Sequence, residues 1–359
     1  MKIALLSYST KPRGGVVHTL ALAEALAATG EDVTVWSLGR GGDDVFFRPV
    51  DPAVQVRIVP FPHGPEDETV GERILRSIAT LRAAFDPSPY DIVHAQDCIS
   101  ANAVDGRCVR TVHHIDHFTT PELAACHERA LVEPYAHLCV SRSVAHELAD
   151  GWGIKAEVIP NGVAYERFAR TEPAARDAWR SQLGRYVLTV GGIEPRKGSL
   201  DLLEAYALLH AQYPDVRLVI AGGETLFDYR DYRAHWETRA AELGIAPVIL
   251  GPVPDDALPA LVAAADAFAF PSLKEGFGLA AMEALAAGVP LVVRDLPVLR
   301  EVFGPAARFA ATPQDLAHQL GKALTHHDPA LRTTGRELAA RHTWSQAARR
   351  HLDFYRTLS

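Results

Sequence analysis

Short apolar runs alternate with stretches of helical period along almost the whole chain, and near its middle the alternation begins afresh. In the first half the runs predict strands at Lys2–Ser7, Val33–Leu38, Val54–Val59, Ile92–Ala95, Cys108–His113, His137–Val140 and Glu157–Ile159. They restart at Tyr186–Val190 and continue with Leu218–Ala221, Val248–Leu250, Ala267–Phe270 and Leu291–Val293. The clearest helix runs over Val16–Ala28, with Val16, Leu20, Ala23 and Ala27 on one stripe and Gly30 where a C-terminal cap belongs. Strand and helix in strict alternation specify βαβ units and parallel sheets. A chain of 359 residues exceeds what one core usually serves, so two such domains are expected. The polar, Ala- and Arg-rich segment Ala164–Gly184 has no strand character and marks the seam. Two doubly wound domains would bind ligand beyond the carboxyl ends of their strands, facing each other across a cleft.

Charge narrows the function. Lys and Arg number 36 against 44 Asp and Glu, a formal net charge of −8, which argues against a nucleic-acid partner. Cys98, Cys108, Cys126 and Cys139 form no C-x-x-C pair and read as small buried residues of a reducing compartment. The opening MKIALLSYS turns polar too early for a signal peptide, and no run reaches the roughly 18 apolar residues of a membrane span. A cytoplasmic protein without a transmembrane segment is expected.

Two segments carry chemistry. In Pro271-Ser-Leu-Lys-Glu-Gly-Phe-Gly-Leu-Ala-Ala-Met-Glu283, a predicted strand leads through Gly276 and Gly278 into a helix ending near Ala287. The glycines permit a tight turn, and the helix start offers free N–H groups. Glu275 in the loop and Glu283 a turn into the helix can accept hydrogen bonds from sugar hydroxyls. Solvated acids are the plain alternative, against which Met282, Ala284 and Leu285 flank Glu283 with apolar side chains. The second segment, Leu188-Thr-Val-Gly-Gly-Ile-Glu-Pro-Arg-Lys-Gly198, sets Arg196 and Lys197 after a strand and a glycine turn, just before a helix near Ser199. That order suits a diphosphate, although a solvated turn fits it as well. Neither opening strand is followed by a Walker A or G-x-G-x-x-G pattern, which weakens a nicotinamide reading. His113, His114, Asp116 and His117 lack the spacing of a helical H-E-x-x-H site, so no metal is expected.

The segment EGFGLAAMEALAAGVP resembles the E-x7-E signature of retaining glycosyltransferase family 4, whose fold is GT-B. GGVVHTLALAEALAATGEDVTVWSL, DIVHAQD, TVHHID, VIPNGVAYERF and the terminal TWSQAARRHLDFYRTL resemble, in order, that family's first glycine turn and helix, its DVVHAHD and TVHD segments, its IPNGVD seam and the helix that crosses back to the first domain. The resemblance implies two Rossmann-like parallel-sheet domains facing a cleft. Residues 1–165, completed by the crossing helix 343–359, would form the acceptor side, and residues 166–342 the sugar-nucleotide donor side. It implies transfer of a hexosyl group from a nucleoside diphosphate sugar to an acceptor hydroxyl, with retention, no metal and no cofactor.

Carried over, the resemblance places Gly14 and Gly15 against the transferred sugar and leaving phosphate, His113 at the reaction centre and Lys197 on the diphosphate. Glu275 would hold the sugar's hydroxyls, Phe277, Gly278 and Leu279 would offer backbone groups, and Glu283 would bind the ribose. One position departs: many relatives carry Arg where Gly192 stands, and Arg196 could supply that charge. A GT-B sugar-nucleotide epimerase and a non-catalytic sugar-nucleotide-binding protein are the alternatives. A phosphorylase is disfavoured, since lysines are scarce and this sequence offers no candidate to hold pyridoxal phosphate. The acceptor (glycan, small molecule or lipid) is not named by any motif. It is sought in His63–Glu72 and Thr119–Glu133, neither of which carries a basic amphipathic stripe.

Overall fold

The computed structural model describes residues 1–358 except 117, 119, 224–228 and 327. The chain divides into two units, Met1–Gly162 with Trp344–Ser359, and Val163–Thr343.

In the first unit β1 (Lys2–Leu6), β2 (Asp32–Arg40), β3 (Gln55–Phe61), β4 (Ile92–Ala95), β5 (Val109–Val112), β6 (Ala136–Cys139) and β7 (Glu157–Val158) form one sheet in the order β3-β2-β1-β4-β5-β6-β7. Every pairing in it is parallel. The helix Gly14–Ala27 starts two residues earlier than its apolar stripe predicts, so both glycines belong to its first turn. Its buried face is also wider than that stripe, taking in His18, Thr19, Leu22 and Leu26. The reason is that it is covered twice. Val16, Leu20 and Leu26 pack with β1 and β2, and the C-terminal helix Trp344–Arg356 adds Ala347, Ala348, Leu352 and Tyr355 to the same core. Each fully buried leucine there contributes about 1.5–3 kcal/mol. Gly30 follows the helix at φ +92° and donates its N–H to the Ala27 carbonyl, while Ala28 is the capping residue itself.

The second unit repeats the plan. Strands β8 (Arg185–Val190), β9 (Val216–Ala221), β10 (Val248–Gly251), β11 (Ala267–Phe270), β12 (Leu291–Arg294) and β13 (Arg308–Ala310) lie parallel in the order β10-β9-β8-β11-β12-β13. The segment read as a strandless seam is two helices, Tyr165–Ala169 and Pro173–Leu183. The edge strand β13 escapes a sequence reading because it has three residues, only one of them buried. In both sheets the strand order reverses beside the first strand. The loops after β1, β4, β8 and β11 therefore lie at the switch points where doubly wound folds bind ligands.

Candidate functional site

The loops after β8 and β11 meet at the switch point of the second unit. Beyond β8 the backbone passes through Gly191 at φ +145° and Gly192, then a 3-10 turn Pro195–Lys197, and reaches the helix Ser199–Gln212 through Gly198. Gly198 sits at φ +66°, and a Cβ there would lie 2.3 Å from the Pro271 carbonyl oxygen. The two loops approach this closely only because that residue is glycine. Arg294, buried at the end of β12, donates to the carbonyls of Pro271 (3.2 Å) and Ala311 (3.0 Å) and pairs with Asp201 of the Ser199–Gln212 helix. It locks the loop after β11 to the helix after β8.

That lock brings Arg196, Lys197 and Glu275 together. Lys197 Nζ donates to Glu275 Oε1 at 2.5 Å, Arg196 Nη1 to the same oxygen at 3.3 Å, and Ser272 Oγ at 3.2 Å. Arg196 also lies 3.6 Å from the buried Glu194 and donates to the Lys274 carbonyl. The Lys197 ammonium stands 5.1 Å from the centre of the Phe270 ring, an apolar wall beside a cation. Gly191, Gly192, Lys197, Ser199, Phe270, Pro271 and Ser272 line a pocket at this point.

Gly278 caps the helix Leu279–Ala287 at φ +97°, with Phe270 and Phe303 3.1 Å from where a Cβ would stand. Phe277 is buried, its ring 5.8 Å from that of His342, and Leu279 opens the helix. Glu283, the fifth residue of that helix, stands apart from the Lys197–Glu275 cluster. It is half-buried among Met282, Ala284 and Leu285 and makes no hydrogen bond among the described residues. Burial pushes its carboxyl up to about 8; Arg167 pulls it down and Asp255 pushes it up. Arg167 and Asp255 pair at 2.7 Å. No sequence signal marked either one, because the Tyr165–Ala169 helix meets the Leu279–Ala287 helix only in the folded unit.

In the first unit Gly14 and Gly15 begin their helix, and a Cβ on Gly15 would lie 3.8 Å from the His113 ring. His113 follows β5 and packs edge-on against His18, centroids 4.7 Å apart. His18 Nδ1 donates to Asn161 Oδ1 at 2.9 Å, and its ring also meets Trp344 and His351. Desolvation lowers His113 and His94 well below the ordinary imidazole range, His18 to about 3 and His351 to about 4. His113 is therefore a neutral imidazole near pH 7, and its Nε2 is buried without a hydrogen-bond partner among the described residues. His114 Nε2 lies 3.2 Å from Asp116. His117 and Thr119 lie outside the described residues, among which no group of three or more His, Cys, Asp or Glu could hold a metal ion. Among them no helix is long and apolar enough to cross a membrane.

Residues 175–350 match the family model described as glycosyl transferases group 1, and residues 12–167 the model described as glycosyltransferase family 4. The chain is 30% identical to a D-inositol 3-phosphate glycosyltransferase of Mycolicibacterium vanbaalenii, over 96% of this chain and 87% of the relative. It is 28% identical to a phosphatidyl-myo-inositol mannosyltransferase of Mycolicibacterium smegmatis, over 100% of this chain and 94% of the relative. Among solved structures, sucrose-phosphate synthase from Thermosynechococcus elongatus superimposes with a TM-score of 0.80 at 20% identity, covering 100% of this chain and 99% of that one. Anabaena HepE in complex with UDP and glucose gives 0.74 at 19% identity, covering 99% of each chain. With two parallel α/β units, the motifs after β1, β8 and β11, and relatives aligned along nearly their full length, the chain belongs to glycosyltransferase family 4 and is a hexosyltransferase of the GT-B fold.

Proposed function

We propose that the enzyme transfers a hexosyl group from a nucleoside diphosphate sugar to an acceptor hydroxyl with retention of anomeric configuration, using side-chain cations in place of a metal and no cofactor. The observation that carries this reading is the convergence of Lys197 and Arg196 on one oxygen of Glu275, beside a pocket lined by Gly191 and Gly192. A diphosphate entering there would compete with Glu275 for the ammonium and the guanidinium. Glu275, released from the cations, would accept hydrogen bonds from hydroxyls of the transferred sugar. Glycosyl–phosphate cleavage builds negative charge on the leaving group. Lys197, Arg196 and the N-terminus of the Ser199–Gln212 helix would stabilise that charge in a partly desolvated site. Gly192 brings no charge, and in this reading Arg196 would supply the second cation.

Gly278, Leu279 and the backbone at Phe277 would meet the sugar, and Glu283 the ribose. His113, neutral and with an unpartnered Nε2 near Gly15, would accept or donate one hydrogen bond at the sugar in the acceptor-side unit. The solved neighbour bound to UDP and glucose and the relative named a mannosyltransferase make UDP-glucose and GDP-mannose the first donors to try. The four cysteines are thiols, the state a reducing cytoplasm maintains, and we place the reaction there.

Incubation with each nucleotide sugar, with and without excess EDTA, tests the reading. Nucleotide release and transfer that survive the chelator, with product anomeric configuration matching the donor by NMR, are expected. Loss in EDTA restored by Mg²⁺ or Mn²⁺ would refute the cation-only chemistry, and inverted product would refute retention.

A further inference from the structure

His18 is a polar side chain inside an apolar core, and the donor chemistry leaves it without a task. It stands one turn into the helix Gly14–Ala27, is 1% exposed, and shares the buried face of that helix with Val16, Leu20 and Leu22. A leucine would occupy the same space at no polar cost. The imidazole instead keeps one nitrogen bonded and one bare. Nδ1 donates to the side-chain oxygen of the buried Asn161 at 2.9 Å, and Nε2 is buried with no hydrogen-bond partner among the described residues. Burying an unpaired ring nitrogen is costly, so its presence calls for a reason other than stability.

The reason lies in what the ring touches. Its plane stands 78° from that of His113 with the two ring centres 4.7 Å apart, an edge-to-face contact. Gly15 and His18 are three positions apart and share one face of their helix. His113 lies against both, its Cδ2 3.8 Å from where a Cβ on Gly15 would stand. The His18 ring also meets Trp344 at 5.3 Å and His351 at 6.3 Å, both on the helix Trp344–Arg356. The terminal torsion of a histidine is soft, so packing alone leaves its ring free to turn. The bond to Asn161 removes that freedom and fixes the surface that His18 presents to His113. Desolvation holds His18 at about 3 and lowers His113 as well, so the contact is between two neutral rings near pH 7.

We propose that His18 is a positioning residue for the transfer: anchored by Asn161, it fixes the plane of the His113 ring and so the direction of the nitrogen that meets the sugar. This deepens the transfer reading and rests on it, because His113 acts on substrate only if that reading holds. A hydrogen bond placed for a transition state loses its value when it slips by a fraction of an ångström or by roughly 20°.

Three variants separate the parts. His18→Leu removes ring and anchor, His18→Phe keeps a ring without the anchor, and Asn161→Ala leaves the imidazole in place but unanchored. With a donor that supports transfer, kcat should fall by about 10- to 100-fold in His18→Leu and by less in the other two, donor KM staying within about threefold of wild type. In a His113→Ala background, His18→Leu should change kcat by less than about twofold, since nothing is left to orient. Equal losses in both backgrounds, or a fall in kcat matched by a rise in KM, would make His18 a packing residue and overturn the proposal. Imidazole NMR without substrate gives a second measure. His113 should show one sharp set of ring signals in wild type and doubled or exchange-broadened signals in His18→Leu; one sharp set in every variant would overturn the proposal too. Should His18→Leu fail to fold by circular dichroism, His18→Phe and Asn161→Ala carry both comparisons. If no donor releases nucleotide, the transfer reading fails by itself, and the NMR comparison still decides whether His18 orients His113.

Discussion

Replacing Glu283 by Gln is expected to make the protein more stable and worse at holding its nucleotide. The carboxyl is half-buried, has no hydrogen-bond partner among the described residues, and is pushed from 4.5 up to about 8 chiefly by burial. A carboxyl whose folded pKa is raised binds its proton more tightly in the native state than in the unfolded chain. Below about pH 4.5 both states hold the proton and no penalty arises. As pH rises from 4.5 towards 8 only the unfolded state ionises, and stability falls by about 1.4 kcal/mol per unit until both are ionised. At pH 7 the accumulated penalty is about 2–3 kcal/mol, allowing for partial hydration. Glutamine has the same shape and no proton to lose, so it removes that slope. Urea denaturation of wild type and Glu283→Gln at pH 5 and pH 8, followed through the transition of the C-terminal unit, measures the difference. The two proteins should be close at pH 5 and separate by pH 8, with the variant the more stable. Calorimetry with UDP and GDP above pH 8, where the carboxyl is ionised, should show the opposite order for binding, with about 1.5–3 kcal/mol lost from a charged hydrogen bond. Parallel stability–pH profiles would refute the burial reasoning, and unchanged affinity for every nucleotide that binds wild type would remove Glu283 from the site.

Other perturbations are expected to act as follows. Arg196→Ala should lower turnover by about 10²-fold while donor binding changes far less, because leaving-group charge grows towards the transition state. Near-wild-type turnover in Arg196→Ala beside a dead Lys197→Ala, in steady-state assays, would show that Gly192 is uncompensated. Gly198→Ala should cost more than 2 kcal/mol in urea melts, about 1 from the left-handed backbone and the rest from collision with the Pro271 carbonyl. A melt within 0.5 kcal/mol of wild type, on the order of an ordinary surface change, would contradict the close approach of the two loops. The first unit should be acid-sensitive, since His18, His94, His113 and His351 are all held below 6.5 by desolvation. Their contribution is complete above pH 6.5 and is lost as pH falls from there towards about 3–4, where His18 and His351 gain protons in the folded state. Imidazole NMR should find His113 neutral at pH 6, and titration near 6.5 would contradict its burial.

The sequence by itself determined most of the architecture, because strand and helix periods are local properties. Ile92–Ala95 and Ala267–Phe270 could be read to the residue, since each is a fully buried run in the middle of a parallel sheet and is bounded by polar turns. The E-x7-E spacing was equally legible, as was the apolar setting of Glu283, whose neighbours in sequence are also its neighbours on the helix. The tertiary structure decided whatever depends on residues far apart in the chain. Lys197 and Glu275 share a bond across 78 positions because Gly198 and Arg294 bring two loops together. His18 meets His351 and Trp344 only after the last helix has packed on the first, so no local pattern announced a buried imidazole cluster. Burial, and with it the cost or value of a charge, is set by what covers a residue, and the chain covers these residues only by folding back on itself.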